Sequence, residues 1–193
     1  MGGCALMPMS EKTKLVLREC FEWIISIALA FAIAFLLRQF VFTLVEVRGQ
    51  SMENTLHDKD RLFVYRLFYH PHYGDIVVLS PPHDTELYIK RVIATEGQTI
   101  DIDFEKNAVY VDGKILTEPY IKELNLEKYS NQDVPLPATV PEGHVFLMGD
   151  NRNNSKDSRY SEVGMIEYKK LIGKAVLRVW PFNVFGGLYD NAR

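Results

Sequence analysis

The stretch Val47-Arg-Gly-Gln-Ser-Met-Glu-Asn-Thr-Leu56 marks the point where the character of the chain changes. A long apolar run ends just before it, and short segments rich in β-branched and aromatic residues follow it. One serine, Ser51, lies inside the stretch beside small and polar residues. A loop serine is ordinary by itself, because Gly, Ser and Asn favour turns. The surrounding sequence therefore has to decide whether Ser51 is a nucleophile.

The composition fits one globular domain with an appendage. The chain has 193 residues, of which 47% are hydrophobic and 24% charged, and its net charge is -3. No stretch combines dense basic residues with aromatic side chains, so we expect no nucleic-acid partner. Cys4 and Cys20 precede or open the apolar run, and no cysteine follows them. Disulfide bonds are therefore excluded from the rest of the chain.

The apolar run predicts a transmembrane helix. Residues 23–37 carry no charge, and apolar residues resume after Arg38 and continue to Val45. A helix from Trp23 to Val45 would be ~35 Å long, enough to cross a hydrocarbon core of ~30 Å. Arg38 would then reach one interface and Trp23 the other.

Two other interpretations fit an apolar run of this length. A cleaved signal peptide is the first, since Ala28-Leu-Ala30 and Ala32-Ile-Ala34 have the small residues that cleavage needs, but they lie inside the run without a polar segment before them. A buried core helix is the second, but residues 24–37 show no polar face. We therefore predict a retained anchor in a cell membrane. We expect its N-terminus in the cytoplasm, because long domains are translocated regardless of charge.

The rest of the chain predicts antiparallel β structure. Its β-branched and aromatic segments are bounded by turn residues such as Asp112-Gly113. The predicted strands are Arg61–Arg66, Asp75–Leu79, Tyr88–Ile93, Thr99–Asp103, Ala108–Val111, Lys114–Leu116, Val145–Met148 and Ile172–Val179. Residues 119–142 contain four prolines and predict an irregular excursion over the surface. The predicted organisation is a short cytoplasmic tail at 1–20, a helix at 21–45 and an extracytoplasmic, mainly β domain at 46–193.

Lys90 is the second residue of chemical interest. Alternation in its strand places it on one face with Tyr88 and Val92. Burial beside them would disfavour the ammonium form, and lowering the pKa from ~10.4 to about 8 corresponds to about 3 kcal/mol. The alternative is a lysine on an edge strand, kept in water to prevent aggregation. The strand alone does not decide between the two.

A polar cluster, Met148-Gly-Asp-Asn-Arg-Asn-Asn-Ser-Lys-Asp-Ser-Arg159, is the third feature. It is not a calcium loop, because Arg152 takes the third position and no glycine stands at the sixth. A solvated turn is one interpretation. A fixed network of charged and hydroxyl groups that supports a site is the other. Spacing alone leaves both open.

Five segments together resemble, in order, the sequence boxes of type I bacterial signal peptidases. They are Gly49-Gln-Ser-Met-Glu-Asn-Thr-Leu56, Arg61-Leu-Phe-Val64, Gly74-Asp-Ile-Val-Val78, Tyr88-Ile-Lys-Arg-Val-Ile93 and Gly149-Asp-Asn-Arg-Asn-Asn-Ser-Lys-Asp-Ser-Arg159. The resemblance extends from the anchor to about Pro181, and the single N-terminal span is similar to the Gram-positive form. It implies a membrane-anchored serine endopeptidase whose antiparallel β-sheet domain is of the type shared with self-cleaving repressors.

The resemblance also implies residue roles. By position, Ser51 matches the nucleophile and Lys90 the general base of a Ser/Lys dyad that works through an acyl-enzyme. The Ser51 backbone N–H would bind the oxyanion, and Gly49 stands where some members add a serine hydroxyl. Ser155 matches the hydroxyl that orients the lysine amine. The charged residues that match the supporting scaffold are the ion pair Asp157 and Arg159, together with Asp150 and Arg152.

One position departs from the pattern. The family's nucleophile box usually reads Ser-Met-x-Pro-Thr, and this chain has Asn54 at the proline position. Asparagine suits a turn but does not fix φ as proline does. We expect a looser loop and retained activity.

The resemblance implies that the substrates are exported preproteins, cleaved after a small-x-small motif. Shallow apolar pockets would exclude large side chains by steric overlap. By position, the pocket residues are Val45, Val47, Leu56, Tyr88 and Ile89. The substrate would lie extended between the Ser51 segment and the Lys90 strand. Its other expected neighbours are the lipid bilayer and the protein-export machinery.

Several rival functions have weaker support. A self-cleaving repressor carries a DNA-binding module where this chain has an apolar span, and a penicillin-recognising enzyme needs Ser-x-x-Lys, where this chain has Asn54. The five histidines include no His-Glu-x-x-His pattern, and two of them flank Pro71 in an apparent loop, so we expect neither a Ser/His/Asp hydrolase nor a metal or other cofactor. A non-catalytic, membrane-tethered homologue that binds signal helices is the remaining alternative.

Overall fold

The computed structural model describes residues 11–122 and 133–189. The chain forms two compact units, Met1–Val41 and Phe42–Arg193. In the first unit, the helix α1 (Glu11–Leu36) continues as a π-helical turn, Leu37–Val41. The part from Val16 to Val41 is long enough and apolar enough to cross a membrane.

The helical segment ends four residues earlier than the predicted 21–45 helix, because Phe42–Glu46 form the strand β1. β1 pairs antiparallel with β2 (Arg61–Tyr65) over five residues. The prediction was wrong here because hydropathy does not distinguish an apolar strand from the end of an apolar helix; a partner strand decides. The length needed to cross a membrane lies instead on the N-terminal side, since the helix already includes residues 11–20 that were predicted as a tail.

The second unit is mainly β, as predicted, and each strand predicted from the sequence is present within two residues at either end. Its further strands are β3 (Ile76–Leu79), β4 (Tyr88–Thr95), β5 (Thr99–Asp103), β6 (Ala108–Val111), β7 (Lys114–Ile115), β8 (Ala138–Thr139), β9 (His144–Met148), β10 (Ile166–Glu167), β11 (Leu171–Trp180) and β12 (Gly186–Gly187). The sequence did not predict β1, β8, β10 and β12. β8 lies inside the excursion 119–142, which is therefore not wholly irregular, and residues 123–132 of the excursion lie outside the described residues.

The strands form two antiparallel sheets. The larger sheet has the order β1-β2-β11-β3-β4-β9-β10, with β12 paired to β11, and the smaller has the order β7-β6-β5-β8. β11 lies between β2 and β3. The hairpin β1–β2, which holds Ser51 in its loop, and the pair β3–β4, which carries Lys90, are therefore joined by a strand near the end of the chain.

The hydrophobic core fixes the loop that contains Ser51. Val47, Met52 and Leu56 are almost fully buried and belong to the same apolar cluster as Ile89 of β4. Burying each of these side chains contributes about 1.5–3 kcal/mol. The loop is therefore anchored on both sides of Ser51 and against the strand that carries Lys90.

The C-terminal end of the described chain closes the junction between β3 and β11. The Tyr189 hydroxyl accepts a hydrogen bond from the Ile76 N–H at 2.9 Å and donates one to the Ala175 carbonyl at 2.7 Å. Leu188 is buried in the cluster beneath. A side chain thus continues the hydrogen bonding where the two strands separate.

Candidate active site

Ser51 and Lys90 meet in the folded chain. Lys90 Nζ donates a hydrogen bond to Ser51 Oγ at 2.7 Å, although the two residues are 39 positions apart. Lys90 is only 4% exposed, because β4 lies between β3 and β9. The alternative of a solvated lysine on an edge strand is therefore wrong. When the amine is neutral, its lone pair can accept the serine proton across the same contact.

Burial sets the basicity of Lys90. It lowers the pKa of the amine from 10.5 to about 8, while the charges of Asp157 and Asp150 oppose the shift and that of Arg159 assists it. The two carboxylates are each bound to an arginine, so neither fully compensates the buried ammonium. A substantial fraction of the amine is therefore neutral near physiological pH.

Asp157 and Arg159 form the ion pair that the family resemblance implies. Arg159 Nε and Nη2 donate to the two carboxylate oxygens at 2.8 and 3.0 Å, and the Gly149 N–H donates to Asp157 Oδ2 at 3.0 Å. Burial by itself raises the pKa of Asp157, but the charge and hydrogen bonds of Arg159 outweigh it and hold the pKa below its ordinary value. Arg159 Nη2 also donates to the Arg152 carbonyl at 2.8 Å, which fixes the loop around Ser155.

A second buried ion pair connects the two halves of the dyad. Arg91 donates to Asp150 through Nε at 2.8 Å and through Nη2 at 2.6 Å. The Thr55 hydroxyl donates to the same carboxylate at 2.5 Å. Arg91, the residue after Lys90, is thereby connected through Asp150 to Thr55 in the loop that contains Ser51. Sequence reasoning assigned no role to Arg91, although its position directly after Lys90 was a signal.

The main chain of Ser51 lies directly against residues 149–151. The Asn151 N–H donates to the Ser51 carbonyl at 3.0 Å, and Asn151 Nδ2 donates to the Gln50 carbonyl at 3.0 Å. A Cβ atom at Gly149 would lie 2.4 Å from the Ser51 carbonyl oxygen and 2.2 Å from Ser155 Oγ. The close approach therefore requires glycine at this position.

The structure places Ser155 beside this contact but not on the amine. Its side chain is buried, and its hydroxyl makes no hydrogen bond of normal geometry with Lys90 or with another described residue, although its interaction with the Asp157 carboxylate helps to hold the pKa of Asp157 below its ordinary value. Arg152, the remaining scaffold residue, donates from Nη1 to Glu118 Oε2 at 2.8 Å and from Nε to the Gly149 carbonyl at 3.1 Å.

The Gly49 N–H is already engaged. It donates to Asp58 Oδ1 at 2.9 Å, and its φ of +82° is one that glycine adopts without strain. Gly49 therefore shapes the loop, and the Ser51 N–H remains the candidate donor to an oxyanion. Asp58 was not identified from the sequence.

A cleft of about 590 Å³ opens at the dyad. Its lining residues are Val47, Arg48, Gly49, Gln50, Ser51, Met52, Asp58, Glu86, Leu87, Tyr88, Ile89, Lys90, Asn154 and Lys156. Three of the predicted pocket residues, Val47, Tyr88 and Ile89, are among them. Leu56 does not line the cleft because it is fully buried in the core. Val45 lines a neighbouring cavity of about 330 Å³ instead.

Replacement of Lys90 by methionine is expected to raise the free energy of unfolding by about 1–3 kcal/mol at pH 6–7. The folded-state pKa of about 8 lies below the ordinary 10.5, so the full cost of the buried ammonium is present below pH 8. As pH rises from 8 to 10.5, the folded chain loses the Lys90 proton while the unfolded chain keeps it. The cost of burying the ammonium therefore falls over this range. The difference between variant and wild type should therefore shrink over that range.

Urea unfolding of the full chain in detergent micelles, followed by fluorescence at several pH values, measures this difference. Lys114→Met removes an exposed lysine from β7 and serves as the control, with no expected gain. A Lys90→Met protein less stable than wild type at pH 6 would contradict the prediction.

The chain has the arrangement of a serine hydrolase of the Ser–Lys kind, a hydroxyl paired with a buried amine on a rigid β scaffold. A family model described as "Signal peptidase, peptidase S26" matches residues 20–180. The chain therefore belongs to the signal peptidase family, peptidase S26.

Curated relatives match nearly the whole chain. It is 37% identical over 181 residues to a signal peptidase I from Bacillus licheniformis, covering 90% of this chain and 95% of that one. It is 34% identical over 184 residues to signal peptidase IB from Staphylococcus aureus, covering 87% of this chain and 93% of the relative. A crystal structure of a signal peptidase I from Enterococcus faecalis V583 covers 56% of this chain and 98% of its own, with 26% identity and a TM-score of 0.43.

Proposed function

We propose that Ser51 and Lys90 are the nucleophile and general base with which this chain removes signal peptides from exported preproteins. As a member of the signal peptidase family the chain is a serine endopeptidase, and its N-terminal apolar helix fits a membrane anchor. The observation that carries the residue assignment is the 2.7 Å contact between Lys90 Nζ and Ser51 Oγ, made by a lysine that is almost fully buried.

The proposed reaction has two steps. In the first, Ser51 Oγ attacks the carbonyl carbon of the scissile peptide bond while neutral Lys90 accepts the hydroxyl proton, and the Ser51 N–H donates to the oxyanion. The amide bond then breaks, and the protonated lysine gives its proton to the leaving amine. In the second step, water attacks the acyl-enzyme with Lys90 again as the base, which releases the signal peptide and restores Ser51.

The cleft supports a preference for small side chains. Val47, Tyr88 and Ile89 line it beside Ser51 and Lys90, and these side chains would exclude large substrate groups by steric overlap, while most of the remaining lining is polar or charged. Residues of the loop with Ser51 and of the strand with Lys90 both line the cleft, so an extended substrate could form main-chain hydrogen bonds with either segment. We therefore assign cleavage after a small-x-small motif.

The proposed topology follows from the anchor. The N-terminal side of the span Val16–Val41 would face the cytoplasm, and the β domain would lie on the extracytoplasmic side of a cell membrane. The chain would then contact the lipid bilayer through its span. It would meet preproteins as their signal helices leave the export machinery, with which it shares the membrane.

Incubation of the detergent-solubilised full chain with a preprotein tests this function. Mass spectrometry should locate one cut, directly after the second small residue of an Ala-x-Ala sequence, and a matched substrate with phenylalanine there should not be cut. Binding of the intact preprotein without cleavage would instead support the alternative of a non-catalytic homologue. No cleavage, or cleavage at unrelated sites, would contradict the proposal.

The rate of cleavage is expected to rise with pH. Because Lys90 must be neutral to accept the serine proton, kcat/KM should increase about tenfold per pH unit below the pKa and level off above about 8. Initial rates between pH 6 and 9 measure the profile, with thermal unfolding at each pH as the control for folding. A rate that falls over this range in a folded protein would exclude the lysine as base.

A further inference from the structure

Two residues of the loop that contains Ser51 contact the same distant segment. We call this loop, residues 47–60 between β1 and β2, the nucleophile loop. Asn54 Nδ2 donates a hydrogen bond to the Ile121 carbonyl at 3.3 Å. Next to it, Glu53 Oε2 lies 2.9 Å from Lys122 Nζ. We call residues 118–122 the strap. These two contacts join the loop to a segment more than sixty residues later in the chain.

The strap is itself held by the buried scaffold of the site. Tyr120 is 8% exposed, and its ring centroid lies 3.9 Å from the Arg91 guanidinium carbon. Glu118 binds the Arg152 guanidinium with both carboxylate oxygens. The backbone N–H of the last strap residue donates to the carbonyl of Asp150 at 3.2 Å. A side chain that forms a hydrogen bond with the strap is therefore held in place relative to Arg91, Asp150 and Arg152, the buried charged residues near Lys90.

The contact at Asn54 adds to the anchors that the loop has elsewhere, which are its buried apolar side chains and the hydrogen bond from the Thr55 hydroxyl to Asp150. The backbone hydrogen bonds around this position are those of a turn, in which the Glu53 N–H donates to the Gln50 carbonyl at 3.2 Å and the Thr55 and Leu56 N–H groups both donate to the Met52 carbonyl at 2.8 Å. A single turn is not rigid by itself, because a few bonds do not offset the backbone entropy. The family pattern places proline here, which fixes φ, whereas Asn54 leaves φ free.

We propose that Asn54 is a positioning residue for Ser51. By donating to the Ile121 carbonyl, its amide ties the nucleophile loop to the strap and replaces the restraint that proline supplies in the family pattern. The ion pair of Glu53 and Lys122 adds a second tie between the same two segments, and solvent screens it because Lys122 is partly exposed. The inference rests on the proposed role of Ser51 as nucleophile.

The test compares Asn54→Ala, Asn54→Pro and the control Asn183→Ala, which truncates an exposed asparagine in the turn after β11. Amide hydrogen exchange of the full chain in detergent micelles reports on the loop, because the Thr55 and Leu56 amides belong to its turn. In Asn54→Ala these amides should exchange about 5–10-fold faster. In Asn54→Pro and in the control they should exchange at the wild-type rate.

Preprotein cleavage supplies the second readout. Asn54→Ala should lower kcat about fivefold with KM changed less than about twofold, because the loop orients Ser51 and the substrate still binds the cleft walls. Asn54→Pro should recover most of kcat. Thermal unfolding of the three variants should remain within about 2 °C of wild type, since the tie is a single hydrogen bond at the surface.

Each result decides the proposal. Wild-type exchange in Asn54→Ala would overturn the tie, whether or not the chain cleaves preproteins. Faster exchange in Asn54→Ala with unchanged kcat would overturn the role of Asn54 in positioning Ser51. If Asn54→Pro exchanged as fast as Asn54→Ala, the idea that Asn54 replaces the restraint of a proline would be overturned. A wild-type chain that cleaves no preprotein would refute the proposed function, while the exchange rates would still establish or exclude the tie.

Discussion

Ser51→Ala and Lys90→Ala are each expected to lower kcat/KM for preprotein cleavage by roughly 10⁴-fold or more, because a nucleophile and its base act as a unit. The two side chains are in direct contact at 2.7 Å, so either change removes the same proton transfer. The double variant should therefore be no slower than the slower single variant. Such non-additivity is expected only of groups that share one step.

The assay follows one preprotein under single-turnover conditions with wild type, both single variants and the double variant. Lys114→Ala, at an exposed position in β7, is the control and should keep wild-type activity. Circular dichroism and thermal unfolding establish that each variant is folded. A Lys90→Ala enzyme with a tenth of the wild-type rate at pH 8 would show that another group is the base.

Gly149→Ala is expected to lower kcat/KM by roughly 10²–10³-fold, because the added methyl group would lie 2.4 Å from the Ser51 carbonyl oxygen. Backbone cannot yield as a flexible side chain can, so the nucleophile loop must shift. The shift also breaks the hydrogen bond from the Asn151 N–H to Ser51. The proposed nucleophile and the proposed oxyanion donor both belong to Ser51, so both would be misplaced.

Gly173→Ala is the matched comparison for that variant. A Cβ at Gly173 would lie 2.1 Å from the Tyr65 carbonyl oxygen, in the ladder between β11 and β2 and not against the dyad. We expect this variant to lose stability while its folded fraction keeps a kcat near wild type. Equal loss of kcat per folded molecule in both variants would contradict a local effect of Gly149.

Sequence reasoning predicted the strands because they are short, β-branched and separated by turn residues. The sequence did not decide whether Lys90 is buried or exposed. Alternation alone left Lys90 either buried or on an edge, since burial depends on which strands lie beside β4. β3 directly precedes β4 in the chain, but β9, which covers the other side of β4, lies far along the sequence, and no local pattern identifies it.

The features that the sequence predicted wrongly, or did not predict, share one cause. Each depends on a partner far away in the chain. Phe42–Glu46 is as apolar as the helix before it and becomes a strand because β2 pairs with it. Leu56 was predicted to line a pocket from its position in a motif, yet it packs into the core. The contacts of Glu118 and Tyr120 with the site's arginines lay in a proline-interrupted segment, where periodicity carries no information.

The position of β11 between β2 and β3 has a consequence for the order of events during synthesis. Residues 171–180 leave the ribosome more than eighty positions after Lys90, and the groups at 149–151 that seat Ser51 are also late. A nascent chain that has emerged only as far as β4 contains both Ser51 and Lys90 but lacks β11 and the residues at 149–151 that bind the main chain of Ser51. We therefore expect hydrolytic activity to appear only after residues 149–151 and β11 have been synthesised and have folded onto the earlier strands.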